Sequence, residues 1–447
     1  MNILIVGNGF DLSHYLPTKY DHFMVAMSAI ENWEDAGKEM SFDDLFGKDY
    51  WHKNDKTGEE KQNKFFQNTK AIYKTEEIKI SVDEIKELKT QLKENCWYQY
   101  FKNHVEEIKT WIDFENKIEH VLMILARFII EISSFHDPEV INKYLNNVNK
   151  NGFNIRKSDL RVLNFFNLIL SKPAIQPFSL NNVYYYGEDI KNGFNALDLI
   201  KDIYDDLEKF IGIFNFYIET VVKKLTPKNI FKPLKSDDYD LTEIAHIYSF
   251  NYTQTYLDFY NSKTEIDFLH GMSGQKQNMV LGVSDLKDKA LKKIKAYGFT
   301  KYHQKLMKDT DYLFLNEFKS KVKSFKNDLI RFDKNYGHHS EDIYQDILIK
   351  KFELNLKFYI WGHSLDVSDQ EYIIDLFSLN DDIDRNVRVI VYYFDNNAKF
   401  SLLANLLYIL GKKKVERWMK QDWLKFEPNP DIAQLNQIQP VELPKST

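Results

Sequence analysis

The chain has 447 residues, 43% of them hydrophobic and 15% aromatic, which is enough for a large core in about two or three domains. Its 60 basic and 66 acidic residues give a formal net charge of −6, which argues against a general nucleic-acid coat protein. No apolar run is long enough to span a membrane, and the N-terminus lacks the features of a secretion signal. The single cysteine excludes an internal disulfide and a four-cysteine zinc site. We therefore expect a cytoplasmic protein with no zinc and no membrane partner.

A short apolar run at residues 2–6 opens the chain and leads into Gly7, Asn8 and Gly9. The run predicts a buried parallel strand, and the two glycines allow a sharp turn and a close approach by a phosphate group. The third glycine of the dinucleotide fingerprint is missing, because Leu12 stands there. Asp11 suits two roles, a cap on the following helix or a ligand to a ribose. This segment alone predicts a nucleotide-type α/β fold.

A long region of helical pattern follows the first strand. Ser81 and Glu84 have the spacing of a capping box, which predicts a helix from there to about 109. Further helices are predicted at 112–133 and 197–225. We interpret 31–240 as a mainly helical insertion into one discontinuous Rossmann-like domain of parallel α/β type, formed by 1–30 and 241–425. The proline-rich residues 426–447 are predicted to be a flexible tail.

Five more apolar runs predict strands at 245–250, 266–269, 279–283, 357–361 and 387–394. Three of them end in polar or glycine residues, as the first strand does. Because the carboxyl ends of parallel strands meet at one edge of a sheet, the four endings are expected to form one crevice. The candidate residues that they contribute beyond the first loop are Asn251, His270, Gly362, His363 and Ser364.

Several of these residues allow a structural interpretation as well as a functional one. His270 suits a hydrogen-bonded structural role or catalysis, and Gly271 after it would leave room for a ligand. Asn251 suits an Asx-turn or a contact with a ribose hydroxyl or a water. His363 and Ser364 resemble part of a nucleophile pair, but they are adjacent and no acidic orienter is evident, which argues against a hydrolase triad.

Two further segments carry charge. Residues 111–115, WIDFE, predict an aromatic core anchor at Trp111 beside solvated carboxylates at Asp113 and Glu115, with a metal-binding carboxylate pair as the alternative. The lysine-rich stretch 287–308 predicts a solvated amphipathic helix rather than a nucleic-acid groove, because acidic residues balance its charge.

Taken together, the chain resembles the bacteriophage abortive-infection AbiH family. The resemblance rests on separated segments in consistent order, namely GNGFDLSHYLPTKYDHF, WIDFE, SFNYTQTY, FLHG with VLGVSD, and IWGHSLDVSDQEY. It implies defence against phage by halting the infected cell, with a phage-derived trigger or a regulatory partner. We also expect a homo-oligomer.

The chain is more distantly similar to the sirtuin-like NAD-binding fold. That similarity implies that Gly7 and Gly9 admit the pyrophosphate of NAD, and that Ser364 lies along its adenosine half. It implies that Asn251 positions a water or the ribose, and that His270 acts as a base on the ribose. Gly7, Asn8, Gly9, Asp11, Gly362, His363 and Ser364 form the predicted binding set, and Asn251 and His270 the catalytic set.

One departure from the sirtuin pattern concerns ribose handling. Thr253 stands where that pattern has an acid, and Asp11 is the residue that would compensate. The leading hypothesis is an effector that hydrolyses NAD at the nicotinamide–ribose bond. The alternatives are a metal-dependent nuclease that uses Asp11, Asp113, Glu115 and His363, and a non-catalytic sensor that binds a nucleotide.

Overall fold

A computed structural model describes residues 1–35, 37–46, 58–104, 108, 111–133, 135, 138–146, 156–172, 176–184, 194–235, 240–310, 313–336 and 341–443. The strands are β1 (Asn2–Val6), β2 (Met40–Ser41), β3 (Lys79–Ile80), β4 (Ile169–Lys172), β5 (Gln176–Leu180), β6 (Ile244–Ser249), β7 (Glu265–Phe268), β8 (Leu356–Trp361), β9 (Val387–Tyr393) and β10 (Leu424–Pro428).

The α-helices before β6 are Asn8–Ser13, Tyr20–Glu31, Phe42–Phe46, Gly58–Ile72, Val82–Glu94, Cys96–Lys102, Trp111–Ile132, Pro138–Asn146, Lys157–Phe165 and Ala196–Tyr217, the last continued by a π-helical turn at Ile218–Val222. Those after β6 are Thr255–Phe259, Lys289–Lys293, Lys301–Met307, Asn316–Tyr336, Glu341–Lys351, Gln370–Phe377, Asn396–Leu410, Lys412–Lys420 and Ile432–Leu435. None of these described helices is both long enough and apolar enough to cross a bilayer.

Six strands form one parallel sheet in the order β10-β9-β8-β1-β6-β7. Counted along the chain within this sheet, that order is 3-2-1-4-5-6 read from β7, which is the order of doubly wound nucleotide-binding folds. The chain reverses its winding direction between β1 and β8. The predicted Rossmann-like α/β fold is therefore confirmed, and β1 lies at the point where ligands bind in such sheets.

The sheet separates two hydrophobic cores, because successive side chains of a strand point to opposite faces. Leu4 and Val6 of β1 pack into one core, which also contains the buried side chains of the helices between β1 and β6. Ile3 and Ile5 pack into the other, against the helices that follow β8 and β9. The long helical region thus covers one face of the sheet and shares its core.

Hydrogen bonds also join the helical region to the loop after β1. The buried Tyr73 hydroxyl donates to the carbonyl of His14 at 2.7 Å, and the buried Tyr217 hydroxyl donates to the carbonyl of Pro17 at 2.6 Å. His14 is itself buried, with its two ring nitrogens 2.7 Å from the Phe10 carbonyl and the Tyr260 hydroxyl. The segment that leads from β1 into the helical region is consequently fixed on several sides.

Most predicted strands and helices agree with the structure to within a residue or two, but several predictions need correction. Residues 279–283 form no strand, because the side chain of Gln304 makes both backbone hydrogen bonds of Leu281. The Gln304 amide donates to the Leu281 carbonyl and accepts from the Leu281 N–H. The helix predicted to run from Ser81 to 109 ends at Glu94, and Asn95 caps a new helix by accepting from the N–H of Tyr98.

The third difference lies near the C-terminus. Residues 424–428 form the edge strand β10, and the helix Ile432–Leu435 follows within the segment predicted to be a flexible tail. Pro428 is compatible with the sheet because it ends an edge strand, where its missing N–H costs little. Ile432 is buried, so this segment packs against the rest of the fold.

Candidate functional site

A cavity of about 290 Å³ lies beyond the carboxyl ends of β1, β6, β7 and β8. The four predicted strand endings line it together, as the sequence analysis expected. Backbone hydrogen bonds continue the sheet past its strands and hold the endings in place, from Gly7 to the carbonyl of Trp361 and from Phe250 to that of Val6. Of the predicted site residues, the wall includes Gly7, Asn8, Asp11, Asn251, His270, Gly362, His363 and Ser364.

The glycines at this edge are required by backbone packing. A Cβ on Gly7 would lie 2.6 Å from the Cα of His363, and one on Gly9 would lie 2.7 Å from the Cα of Gly362. Gly9 also donates its N–H to the carbonyl of Gly362 at 2.9 Å and is not part of the cavity wall. The two loops at the switch point therefore touch through backbone, and the amide of Gly9 is already used within the protein.

Asp11 is held by two threonines from the ending of β6. Its carboxylate accepts hydrogen bonds from Thr253 at 2.6 Å and from Thr255 at 2.7 Å. It lies inside the first helix, whose N-cap is Gly7, so it is not the helix cap that the sequence allowed. Burial raises the pKa of Asp11 to about 6, although the two hydroxyls oppose that rise. A direct hydrogen bond thus joins Thr253, which follows β6, to Asp11 in the helix after β1.

Asn251 lines the cavity and is 5% exposed. Neither Nδ2 nor Oδ1 of its amide has a hydrogen-bond partner among the described residues. It does lie near enough to Asp11 to lower the pKa of that acid. Its side chain forms no Asx-turn; the turn is closed instead by Ser249, whose hydroxyl accepts from the Asn251 N–H at 3.1 Å. A buried, unsatisfied amide is rare and indicates a polar ligand.

His270 follows β7 and is buried in the cavity wall, with Phe250 packed edge-on against its ring at 5.1 Å. Burial and the nearby Lys301 lower the pKa of His270 to about 3, so the ring is neutral. Its Nε2 lies 3.2 Å from Asp369 Oδ1 but makes no well-oriented hydrogen bond there. Gly271 does not leave space for a ligand as predicted, because a Cβ there would lie 2.1 Å from the carbonyl oxygen of Asn278.

Asp369 is the acidic partner that the sequence analysis did not find for the histidines. Its Oδ2 lies 3.4 Å from Nε2 of His363, whose Nδ1 accepts a 3.0 Å hydrogen bond from the N–H of Leu365. Ser364 is exposed in the cavity wall, and its hydroxyl accepts a hydrogen bond from the N–H of Asp366 at 3.3 Å. Asp369 thus supplies an acidic neighbour of His363, and the prediction that no acidic orienter is present needs correction.

Lys301 connects this group to the helical region. Its ammonium lies 2.8 Å from Glu115 of the helix Trp111–Ile132 and 3.4 Å from Asp369, and all three side chains are nearly buried, at 7%, 14% and 10% exposure. All three line the cavity. Glu115, which was predicted to be solvated, is therefore part of the site. Asp113 is not among the residues of the cavity wall, and the side chain of Trp111 lies outside the described part of the structure.

The two carboxylates around Lys301 have opposite pKa shifts. Burial raises the pKa of Glu115 to about 7, and Asp369 adds to that rise while Lys301 opposes it. Burial also disfavours the charge of Asp369, but Lys301 and then His270 hold its pKa well below the usual range. Asp369 is therefore the permanent anion, and Glu115 is the group that gains or loses a proton near neutral pH.

The lysine-rich stretch 287–308 differs from its prediction. It forms the short helices Lys289–Lys293 and Lys301–Met307 with a 3₁₀ turn at Ala296–Phe299 between them, and not one solvated helix. Lys301 and Lys305 are 6% and 5% exposed. Burial lowers the pKa of Lys305 to about 8. The composition predicted a solvated surface, yet Lys301 from this stretch is buried and lines the cavity.

The described residues contain no group of three or more histidine, cysteine or acidic side chains arranged to hold a metal ion. Asp11 and Glu115, which the nuclease hypothesis placed together, are each bound to other side chains, the threonines in one case and Lys301 in the other.

The comparisons with known proteins identify the family of this chain. No curated protein and no solved structure matches it, so the resemblance to the sirtuin-like fold stays a prediction. The family described as bacteriophage abortive infection AbiH matches residues 3–393, which include every residue of the cavity wall. That family implies a role in phage abortive infection. The chain thus belongs to the bacteriophage abortive infection AbiH family.

Proposed function

We propose that this protein acts in abortive infection by hydrolysing NAD at the nicotinamide–ribose bond. The observation that carries the proposal is a set of three buried polar atoms without hydrogen-bond partners among the described residues, Nδ2 and Oδ1 of Asn251 and Nε2 of His270. Both side chains line the cavity at the switch point of the sheet. Since buried polar groups are nearly always satisfied, a polar ligand is expected to complete them.

The size and charge of the cavity support a nicotinamide riboside group as the occupant. Its 290 Å³ lies near the lower end of small-molecule sites, which hold about 300–1,000 Å³, and suits half of the dinucleotide better than the whole. Asp11 and Asp369 contribute negative charge to the wall. Such charge favours the cationic pyridinium of NAD and the positive charge that develops at C1′ of the ribose.

The proposed reaction needs only groups in the wall and a water. The oxygen of the water bonds to C1′ while the C1′–N bond breaks, and its electron pair passes to the ring nitrogen of nicotinamide, which becomes neutral. Asn251 orients the ribose and the water. His270, which is neutral, accepts a proton from the water, and Asp369 stabilises the imidazolium that forms. The products are ADP-ribose, nicotinamide and a proton.

The test compares the wild-type protein with Asn251→Ala and His270→Ala. Purified proteins are incubated with NAD, and release of nicotinamide is followed by chromatography, with the same assay on cells sampled during phage infection. We expect His270→Ala to lose at least about 100-fold in activity, the usual effect of removing a proton-transfer group. We expect Asn251→Ala to lose about as much, because it removes the group that orients the ribose and the water. His246→Ala is the matched control, because His246 lies on β6 but outside the cavity wall and pairs with Asp267.

Three outcomes separate the hypotheses. Loss of NAD in infected cells with the wild type and His246→Ala, but not with the two site variants, supports the proposal. Growth arrest of infected cells with unchanged NAD overturns it. Binding of NAD without nicotinamide release, in the purified protein and in infected cells, favours the non-catalytic sensor instead.

A further inference from the structure

The cavity wall has more carboxylates than buried ammonium groups. Asp11, Glu115 and Asp369 line it, whereas Lys301 is the one buried lysine among the described residues of the wall. Asp11 accepts hydrogen bonds from the neutral hydroxyls of Thr253 and Thr255 and forms no ion pair within the described part of the chain. Lys19 also lines the cavity, but it is half-buried and forms no ion pair with the described carboxylates. Within the buried part, then, a single ammonium serves two acids.

Glu115 and Asp369 share the Lys301 ammonium but differ in their other partners. Each lies close to Lys301, and Asp369 has the two histidines as additional partners, whereas Lys301 is the one partner of Glu115 within the described part of the chain. A carboxyl group that is nearly buried and incompletely neutralised is favoured by any further positive charge that enters beside it. The cavity that Glu115 lines provides space for such a charge.

An independent feature indicates that a ligand does enter here. The Asn251 amide is more than nine-tenths buried, faces this cavity and has no hydrogen-bond partner among the described residues. An acidic cluster alone would not indicate a ligand, but the unpartnered amide on the same wall requires one.

We infer that the part of the ligand held in this cavity carries a positive charge, and that Glu115 provides the carboxylate that selects it. The inference rests on the proposed function, for which the cation is the oxidised pyridinium ring of NAD. Glu115 would then favour binding of NAD over binding of its reduced form, whose ring is neutral. The selecting residue comes from the helical region, and the residues that orient the ribose come from the sheet.

The protonation of Glu115 supports this assignment. Burial raises the pKa of Glu115 to about 7, so before a ligand binds a fraction of the Glu115 carboxyl groups is protonated at neutral pH. Lys301, Asp369 and Asp366 act on it electrostatically, and Tyr252 and Lys305 face the same charges. A cation that binds beside Glu115 favours its ionised form, so binding is expected to release a proton.

The experiment measures binding of two small probes by calorimetry at pH 7. One is 1-methylnicotinamide, which is a permanent cation, and the other is nicotinamide, which is neutral. Neither contains the bond that the proposed reaction cleaves. We expect the wild type to bind the cation at least about tenfold more tightly, a difference of about 1.4 kcal/mol, and to release a proton as judged in two buffers of different ionisation enthalpy. We expect Glu115→Gln to lose the preference and the proton release.

The matched control is Glu119→Gln, one turn further along the same helix and outside the cavity wall. It is expected to behave as the wild type. Equal affinity for both probes in the wild type, or no binding of the cation, overturns the inference even if Glu115→Gln does not fold. Hydrolysis of NAD without charge preference would contradict this inference alone, and cation preference without hydrolysis would contradict the proposed function alone.

Discussion

The hydroxyl of Thr253 donates a 2.6 Å hydrogen bond to the carboxylate of Asp11, a residue 242 positions earlier in the chain. The bond joins the ending of β6 to the first helix after β1, on the wall of the cavity. Thr255 donates to the other oxygen of the same carboxylate. One acid thereby holds together two strand endings that the long helical region separates in sequence.

Substitution of Thr253 by valine tests this link. The change keeps the side-chain shape but removes one of the two donors to a buried carboxylate, which is expected to cost about 1–3 kcal/mol of unfolding free energy and to raise the pKa of Asp11 further. Urea unfolding at pH 7 measures the loss. Thr90→Val, at an exposed helix position, is the control and is expected to change stability by less than about 0.5 kcal/mol.

Gly362→Ala tests the close contact between the loops after β1 and β8. Gly362 has φ of +75°, and a Cβ would lie 2.1 Å from the backbone nitrogen of Phe10, so alanine is expected to lower stability by more than about 2 kcal/mol. Gly212→Ala is the matched control, because that helix position is open and alanine should gain about 0.5–1 kcal/mol. Similar melting temperatures for the two variants would contradict the close backbone contact described for Gly362.

Lys301→Met removes the ammonium that Glu115 and Asp369 share. The variant is expected to lose about 3–5 kcal/mol, since it leaves two buried carboxyl groups without their cation. Adding Glu115→Gln to it should restore part of that loss, because one of the unpaired acids is then neutral. Lys38→Met is the control for an exposed ion pair, and it is expected to leave stability almost unchanged. Chemical denaturation of the four proteins gives the comparison.

The raised pKa of Glu115 predicts how stability depends on pH. Between its ordinary value of 4.5 and about 7, the folded protein retains a proton that the unfolded chain has lost. The stability that this proton provides is complete below the lower value and is lost as pH rises through the upper one, a change of up to about 3 kcal/mol. The difference in unfolding free energy between the wild type and Glu115→Gln, measured from pH 4 to 8, isolates this effect. A pH-independent difference would contradict it.

The sequence was sufficient to predict which strand endings meet, because the carboxyl ends of parallel strands share one edge of a sheet. The prediction needed only the apolar runs and the polar residues after them, and it placed Asn251, His270 and His363 on one wall. The run 279–283 was assigned wrongly for a related reason. A buried apolar segment has the same pattern whether its backbone bonds to a strand or to the side chain of Gln304.

The acids and lysine around the site could not be predicted in the same way. Helical spacing at 111–115 fixes which residues share a face, but it does not reveal that Glu115 faces Lys301, which lies far along the chain. The composition around Lys301 suggests a solvated helix, since nothing local distinguishes the lysine that is buried. Asp369 belongs to a quoted motif, IWGHSLDVSDQEY, and its position six residues after His363 was a signal that could have been used.

The position of β1 in the middle of the sheet has a consequence for synthesis of the protein. A ribosome makes β1 before its two neighbours, β6 and β8, both of which follow the long helical region in the chain. Pairing between such distant segments is slow, and it cannot begin before β6 and β8 have been synthesised. A nascent chain in which β8 has not yet been synthesised therefore has no assembled cavity, so the cell does not encounter the complete site at that stage of translation.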